Sequence, residues 1–275
     1  MPGRTIVITG ASDGVGAAAA RLLVEAGEKV VVVGRSPQKT AAVAEALGVP
    51  HHVADYSRLA DVRRLAAELD AAYPRIDVLA NNAGGLMGAT RTLTEDGHEL
   101  TFQVNHLGGF LLTTLLMDKL VASKASVIQT SSVAARLFAR LDIGDLDSER
   151  RYQAHLAYGG GKLANVLFTR ELHRRYGDQG VNAAAFHPGV VGSNFANSAP
   201  GFTRWVYRSS LAAKTMTTPT RGADQLVWLA EGVPGSDWSP GSYYEKRRVA
   251  KTWPLADDAE LARRLWEVSA DLVGG

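Results

Sequence analysis

The chain has 275 residues, 46% of them hydrophobic and 21% charged, which is enough to bury a substantial core within one α/β domain. Lysine and arginine number 30 against 28 acidic residues, and no long basic run occurs, which excludes the electrostatic footprint of a nucleic-acid binder. Cysteine is absent, so disulfides, thiol redox chemistry and thiolate-ligated metals are excluded; the seven histidines show no metal-binding spacing, and no metal is expected.

The amino terminus, Met1 to Thr9, has too short an apolar run for a signal peptide. The later stretch Phe110 to Val121 is broken by Thr113, Thr114, Asp118 and Lys119, so a soluble cytoplasmic protein without a membrane span is expected. Short β-branched runs predict strands at Thr5 to Thr9, Lys29 to Val33, His51 to Ala54, Val78 to Asn81, Ser126 to Thr130 and Val181 to His187. Their nearly continuous apolarity suits strands covered on both faces. Helical stretches alternate with them: Gly16 to Ala26, Leu59 to Ala72 and Ala164 to Tyr176, with Leu261, Leu265, Val268 and Leu272 at helical spacing near the carboxyl end. This order predicts a doubly wound parallel sheet with helices on both faces. From Val191 to Pro219, Gly, Pro, Ser and Thr mix with Phe195, Phe202, Trp205 and Tyr207 and no sheet period is visible, which predicts a flap over the substrate. Those aromatic side chains could pack on a guest or form the flap's own small core.

Directly after the first strand comes Thr9-Gly10-Ala11-Ser12-Asp13-Gly14-Val15-Gly16, opening an Ala-rich helix. In a dinucleotide-binding crossover the first glycine permits the tight turn, the second lets backbone approach a pyrophosphate, and the third allows close helix–strand packing, while the helix amino terminus offers N–H groups to the anion. Gly34 and Arg35 end the second strand, where a carboxylate would bind the free ribose 2′-hydroxyl of NAD; a guanidinium there favours the 2′-phosphate of NADP. Against this stand the negative charge of Asp13 inside the turn and the alternative that Arg35 is a solvated loop residue. Asp55, past the third strand, is suited either to the adenine amino group or to a turn or helix cap.

Tyr158 and Lys162 are four residues apart and project from one helix face. A tyrosine with an ordinary pKa near 10 becomes an acid/base near neutrality when an ammonium and a cationic nicotinamide both favour phenolate. Its companions are Asn81-Asn82-Ala83-Gly84 after the fourth strand, Asn105 in Phe102-Gln103-Val104-Asn105-His106, and Ser131-Ser132 after the fifth, all placed to converge at the carboxyl edge of the sheet.

The whole set, with Pro188-Gly189 following in order, resembles the classical short-chain dehydrogenases/reductases over residues 4 to 245. The phrasing Val104-Asn105-His106-Leu107-Gly108-Gly109-Phe110, with Lys162-Leu163-Ala164-Asn165 later, is most similar to the branch of retinol dehydrogenases and related ketone reductases. The resemblance implies residues 1–275 as a single NAD(P)-binding Rossmann domain and an NADP-dependent oxidoreductase acting on a moderately hydrophobic ketone, aldehyde or alcohol. It implies Tyr158 as general acid/base, Ser132 as the group polarising the substrate oxygen, Lys162 on the nicotinamide ribose, and Asn105 helping to hold a proton-relay water. It further implies Gly10, Ser12, Asp13, Gly14, Val15, Gly16, Arg35, Asp55, Asn82, Ala83, Gly84, Pro188, Gly189, Val191 and Ser193 around the cofactor. His187 is read as structural.

Two departures stand out. The family commonly has a small polar residue just before the lysine, whereas Gly159-Gly160-Gly161 precedes Lys162 here and predicts a locally loose helix. Between Ser132 and Tyr158 lie 25 residues, including the charged stretch Asp142 to Arg151, which reads as a solvated insertion or a substrate-facing rim. Two other functions keep the cofactor cradle: an NADP(H)-binding regulator without turnover, which has no need of Tyr158 and Lys162, and an isomerase or cyclase. Oligomeric state is open, a homo-oligomer included, because pairing helices look like ordinary amphipathic ones.

Overall fold

A computed structural model describes residues 3–138, 140–189 and 217–274. Seven strands run parallel: β1 (Thr5–Thr9), β2 (Lys29–Gly34), β3 (His51–Val53), β4 (Val78–Asn81), β5 (Ser126–Thr130), β6 (Asn182–Phe186) and β7 (Ser242–Glu245). A short β8 (Arg248–Val249) closes the edge antiparallel to β7, giving the order β3-β2-β1-β4-β5-β6-β7-β8. This is a Rossmann-like, mostly parallel sheet. The order reverses between β1 and β4, which leaves a crevice beyond their carboxyl ends.

Side-chain alternation along the strands divides the core in two. Val7, Val31, Leu79, Val127 and Ala183 face one layer, with α3 (Leu59–Ala72), α5 (Gly108–Leu115) and α8 (Ala154–Tyr176). Ile6, Ile8, Val32, Ala80, Ile128 and Phe186 face the other, with α1 (Gly14–Glu25) and α9 (Pro219–Glu231). Both faces are covered, which is why the central strands read as unbroken apolar runs. The other helices are α2 (Pro37–Leu47), the short α4 (Leu100–Phe102), α6 (Met117–Ser123), α7 (Ala134–Leu137) and α10 (Ala259–Leu272).

Several boundaries differ from the sequence reading. α1 begins at Gly14 rather than Gly16, because Asp13 caps it by accepting from the Gly14 N–H. α8 begins at Ala154 rather than Ala164 and runs through the three glycines without a break. Those glycines are buried, not loose: a β-carbon on Gly159 or Gly160 would lie 2.5 Å from the Phe138 carbonyl oxygen or 2.6 Å from that of Arg140. Close backbone packing offsets the poor helix propensity. Thr218 and Pro219, assigned to the flap, are the cap and first residue of α9; residues 191–216, with Val191, Ser193 and the flap aromatics, lie outside the described residues. On α10 the buried stripe is Ala262, Leu265, Trp266 and Ser269, so only Leu265 of the four predicted positions is fully buried. His106 receives this helix: its Nε2 lies 2.9 Å from Ser269 Oγ, and the ring sits among Phe102, Phe110 and Phe168.

Candidate active site

The cradle is built by hydrogen bonds among three strand ends. Thr9 Oγ1 accepts from the N–H groups of Asn82 and Ala83 at 3.0 and 3.1 Å. Asn82 Nδ2 donates to the carbonyls of Thr9 and Gly10, and its Oδ1 accepts from Thr130 Oγ1 at 3.1 Å. The Asn82 side chain therefore ties β1, β4 and β5 together, and its contribution to the crevice is one of shape. Gly10, at φ 64°, turns the chain where a β-carbon would come within 2.7 Å of Ala83 Cα. Gly16 is buried in α1 beneath the Gly10 carbonyl.

The crevice encloses about 570 Å³. One end holds Ser12, Asp13, Gly14 and Val15 beside Arg35, Ser36 and Lys39. The amide groups of a helix's first turn have no partners within the helix, so this end of α1 suits an anion. Lys39 Nζ lies 3.8 Å from Asp13 Oδ2, which offsets the negative charge that argued against phosphate. Sequence reading missed Ser36 and Lys39; the signal was Ser36-Pro37, an N-cap and first helical residue placing Lys39 on the opening turn of α2. Asp55 lines the same crevice and also forms a turn, its Oδ1 accepting from the Ser57 N–H at 3.0 Å.

The other end gathers Ser132, Tyr158, Lys162, His187, Pro188 and Gly189. Lys162 is 3% exposed, its Nζ donates to the Thr130 carbonyl at 3.0 Å, and the same nitrogen stands 5.7 Å from the centre of the Tyr158 ring. Burial pushes its ammonium down to about 7. Asn105 lies in a π-helical turn, Gln103–Leu107, between α4 and α5, a local widening frequent at functional sites. Its Nδ2 donates to the carbonyls of Gly85 and Thr101 at 2.7 and 2.8 Å, and its Oδ1 accepts from the Gly85 N–H at 3.0 Å. Gly84, at φ 152°, fits between: a β-carbon there would sit 2.6 Å from Asn105 Oδ1 and 2.9 Å from Lys162 Nζ.

The two serines divide their work. Ser131 is buried and its hydroxyl donates to the Lys162 carbonyl at 2.7 Å. Ser132 Oγ accepts from the Ala134 N–H at 3.2 Å, which leaves its own proton available to a ligand. His187 Nδ1 accepts from the Val133 N–H at 3.2 Å and burial pushes its pKa down to about 4, so a neutral imidazole ties the end of β6 to the Ser132 loop. The charged insertion keeps Asp142, Glu149 and Arg150 exposed, as a solvated stretch does, and is anchored at other positions. Asp147 Oδ1 accepts from the Glu99 N–H at 2.8 Å, and Leu141, Ile143 and Leu146 pack on the main core. Among the described residues no group of three or more His, Asp or Glu side chains could hold a metal, and no helix is long and apolar enough to cross a membrane.

A crevice at the switch point of a parallel sheet, with a glycine turn at a helix amino terminus and a buried lysine beside a half-buried tyrosine, defines a dinucleotide-binding oxidoreductase class. The family model described as short chain dehydrogenase matches residues 4–201, and the chain belongs to that family. It is 41% identical over 281 residues to a Streptomyces sp. (strain C5) protein provisionally assigned as a daunorubicin C-13 ketoreductase, covering 100% of this chain and 94% of the relative. It is 38% identical over 293 residues to human retinol dehydrogenase 13, covering 100% of this chain and 86% of the relative. Among solved structures, the RhlG/NADP active-site complex of Pseudomonas aeruginosa is similar at a TM-score of 0.69 and 28% identity, over 88% of this chain and 94% of that one.

Proposed function

We propose that this chain is a cytoplasmic NADP-dependent carbonyl reductase, running as an alcohol dehydrogenase in reverse, on a moderately hydrophobic ketone, aldehyde or alcohol. The observation that carries the reading is the pairing of ends in one crevice: cations Arg35 and Lys39 at one, Lys162, Tyr158 and Ser132 at the other. Arg35 and Lys39 would grip the ribose 2′-phosphate, the glycine turn and the amino terminus of α1 the pyrophosphate, and Lys162 the nicotinamide ribose. The bound nicotinamide supplies or receives the hydride.

The chain's own groups handle the proton. Ser132 donates a hydrogen bond to the substrate oxygen and polarises it, while Tyr158 gives that oxygen its proton in reduction and takes it back in oxidation. The negative charge of a bound dinucleotide would favour the ammonium form of Lys162, and that charge would draw Tyr158 toward phenolate. Asn105, next to Lys162, holds a water that passes protons to solvent. Leu86, Met87 and Val133 give the crevice an apolar wall, which favours a hydrophobic guest.

The test is NADPH oxidation by purified protein against aromatic, polyketide-like and aliphatic carbonyls, with NADH in parallel and Tyr158→Phe as control. Turnover that prefers NADPH and falls at least about 100-fold in the variant supports the reading. Tight NADPH binding without turnover on any carbonyl would move the assignment to a regulator or a non-redox enzyme.

A further inference from the structure

We propose that Asp147, on the charged insertion before α8, is a positioning residue that sets the orientation of Asn105 through the buried Glu99. The proposal rests on the reading of Asn105 as part of the proton path. The insertion is otherwise unexplained by the reaction, and Asp147 joins it to the turn that carries Glu99.

The connection can be followed bond by bond. Arg91 Nε donates to the Asp147 carbonyl at 2.7 Å, and Asp147 Oδ1 accepts from the Glu99 N–H at 2.8 Å. His98 Nδ1 stands 3.5 Å from the other Asp147 oxygen, and its Nε2 3.2 Å from the Leu272 carbonyl at the end of α10. Glu99 is 1% exposed, and its carboxylate accepts from the N–H groups of Thr101 and Phe102, each at 2.8 Å. It therefore caps the segment that widens one turn later at Asn105. The Thr101 carbonyl, on that same capped turn, accepts from Asn105 Nδ2 at 2.8 Å.

Physical chemistry makes this chain directional. Without the Asp147 oxygen, the Glu99 N–H is a donor in a nearly dry place and is left unpaired, so the backbone there rotates toward water or another acceptor. Rotation at Glu99 displaces the carboxylate that holds Thr101 and Phe102. A short helix followed by a π turn has little cooperative hydrogen bonding of its own to resist that shift. Asn105 is then held by Gly85 alone, and the separation of its amide from Lys162 is no longer fixed. Displacements of this kind, far from the chemistry, have large effects on rate.

A purely structural Asp147 and a positioning one differ in what their loss does to Asn105. Hydrogen exchange of the peptide spanning residues 83–87 reports the Gly85 N–H, which donates to Asn105 Oδ1. Asp147→Ala is expected to speed exchange there by about tenfold in folded, cofactor-free protein, while Asp147→Asn, which keeps an acceptor for the Glu99 N–H, restores protection. Asp142→Ala, elsewhere on the insertion, leaves it unchanged. This readout needs no turnover, so it stands even if no carbonyl proves to be a substrate. With an active substrate, Asp147→Ala is expected to lower kcat about tenfold at unchanged KM for NADPH, and to add no further loss in an Asn105→Ala background. Should Asp147→Ala fail to fold, Arg91→Ala, which frees the Asp147 backbone and the longer ion pair to Glu149, must raise Gly85 exchange in the same direction by a smaller factor. Unchanged Gly85 exchange in folded variants, or equal kcat losses with and without Asn105, would overturn the proposal.

Discussion

Replacing Lys162 by methionine is expected to stabilise the cofactor-free fold while abolishing turnover. Burial moves this ammonium from its ordinary 10.5 to about 7. Every tenfold weakening of proton binding corresponds to about 1.4 kcal/mol, so the full penalty is on the order of 5 kcal/mol. Between those two values the unfolded chain binds the proton and the folded chain does not. Stability therefore rises with pH across that window: the penalty is complete below about pH 7 and gone near pH 10.5. Methionine removes the ionisable group, fills a similar volume and forfeits the hydrogen bond to the Thr130 carbonyl. That carbonyl still accepts from Asn165 Nδ2 at 3.3 Å, which keeps the loss to about 1 kcal/mol. Relaxation and water entry around a buried charge reduce the gain further, to a net of about 2–3 kcal/mol at pH 6.5. Urea titrations of both proteins at pH 6.5, 8 and 10, without cofactor, measure it. A variant no more stable than the parent at pH 6.5, or a difference that does not shrink by pH 10, would refute the reasoning.

Three further outcomes test other parts of the site. Arg35→Ala combined with Lys39→Ala is expected to raise the Kd for NADPH by about 100-fold and that for NADH by less than about threefold, read by fluorescence titration. Gly84→Ala combines an unfavourable φ of 152° with a β-carbon 2.6 Å from Asn105 Oδ1. It should lower kcat by at least about tenfold and stability by about 1–3 kcal/mol, seen in steady-state kinetics and urea midpoints. Gly159→Ala tests whether the helix is close-packed or loose: packing on the Phe138 carbonyl predicts a loss of about 1–3 kcal/mol, whereas a loose helix would gain stability from alanine.

The parts of this protein legible in its sequence are those governed by neighbours along the chain. β1, the glycine turn and α1 follow one another within a short span, and each step is local: β-branched residues, then glycines, then alanines. Tyr158 and Lys162 share a helix face by spacing alone, and the bounds of β1, β4, β5 and α3 fall where their periodicity ends. β7 and β8 were not legible, because two tyrosines between polar residues become strand only by pairing with β6, and Arg248–Val249 only by pairing with β7. The three glycines of α8 look like a weakness until the carbonyls of Phe138 and Arg140 are laid against them. The π turn around Asn105, the Lys39–Asp13 pair and the bond from Glu99 to Asp147 likewise depend on partners that tertiary structure brings together. Local periodicity and turn chemistry thus determined the cradle and the order of the motifs. The fit of Asn105 beside Lys162, and the insertion that braces it, were decided only when distant backbone groups had to find hydrogen-bond partners away from water.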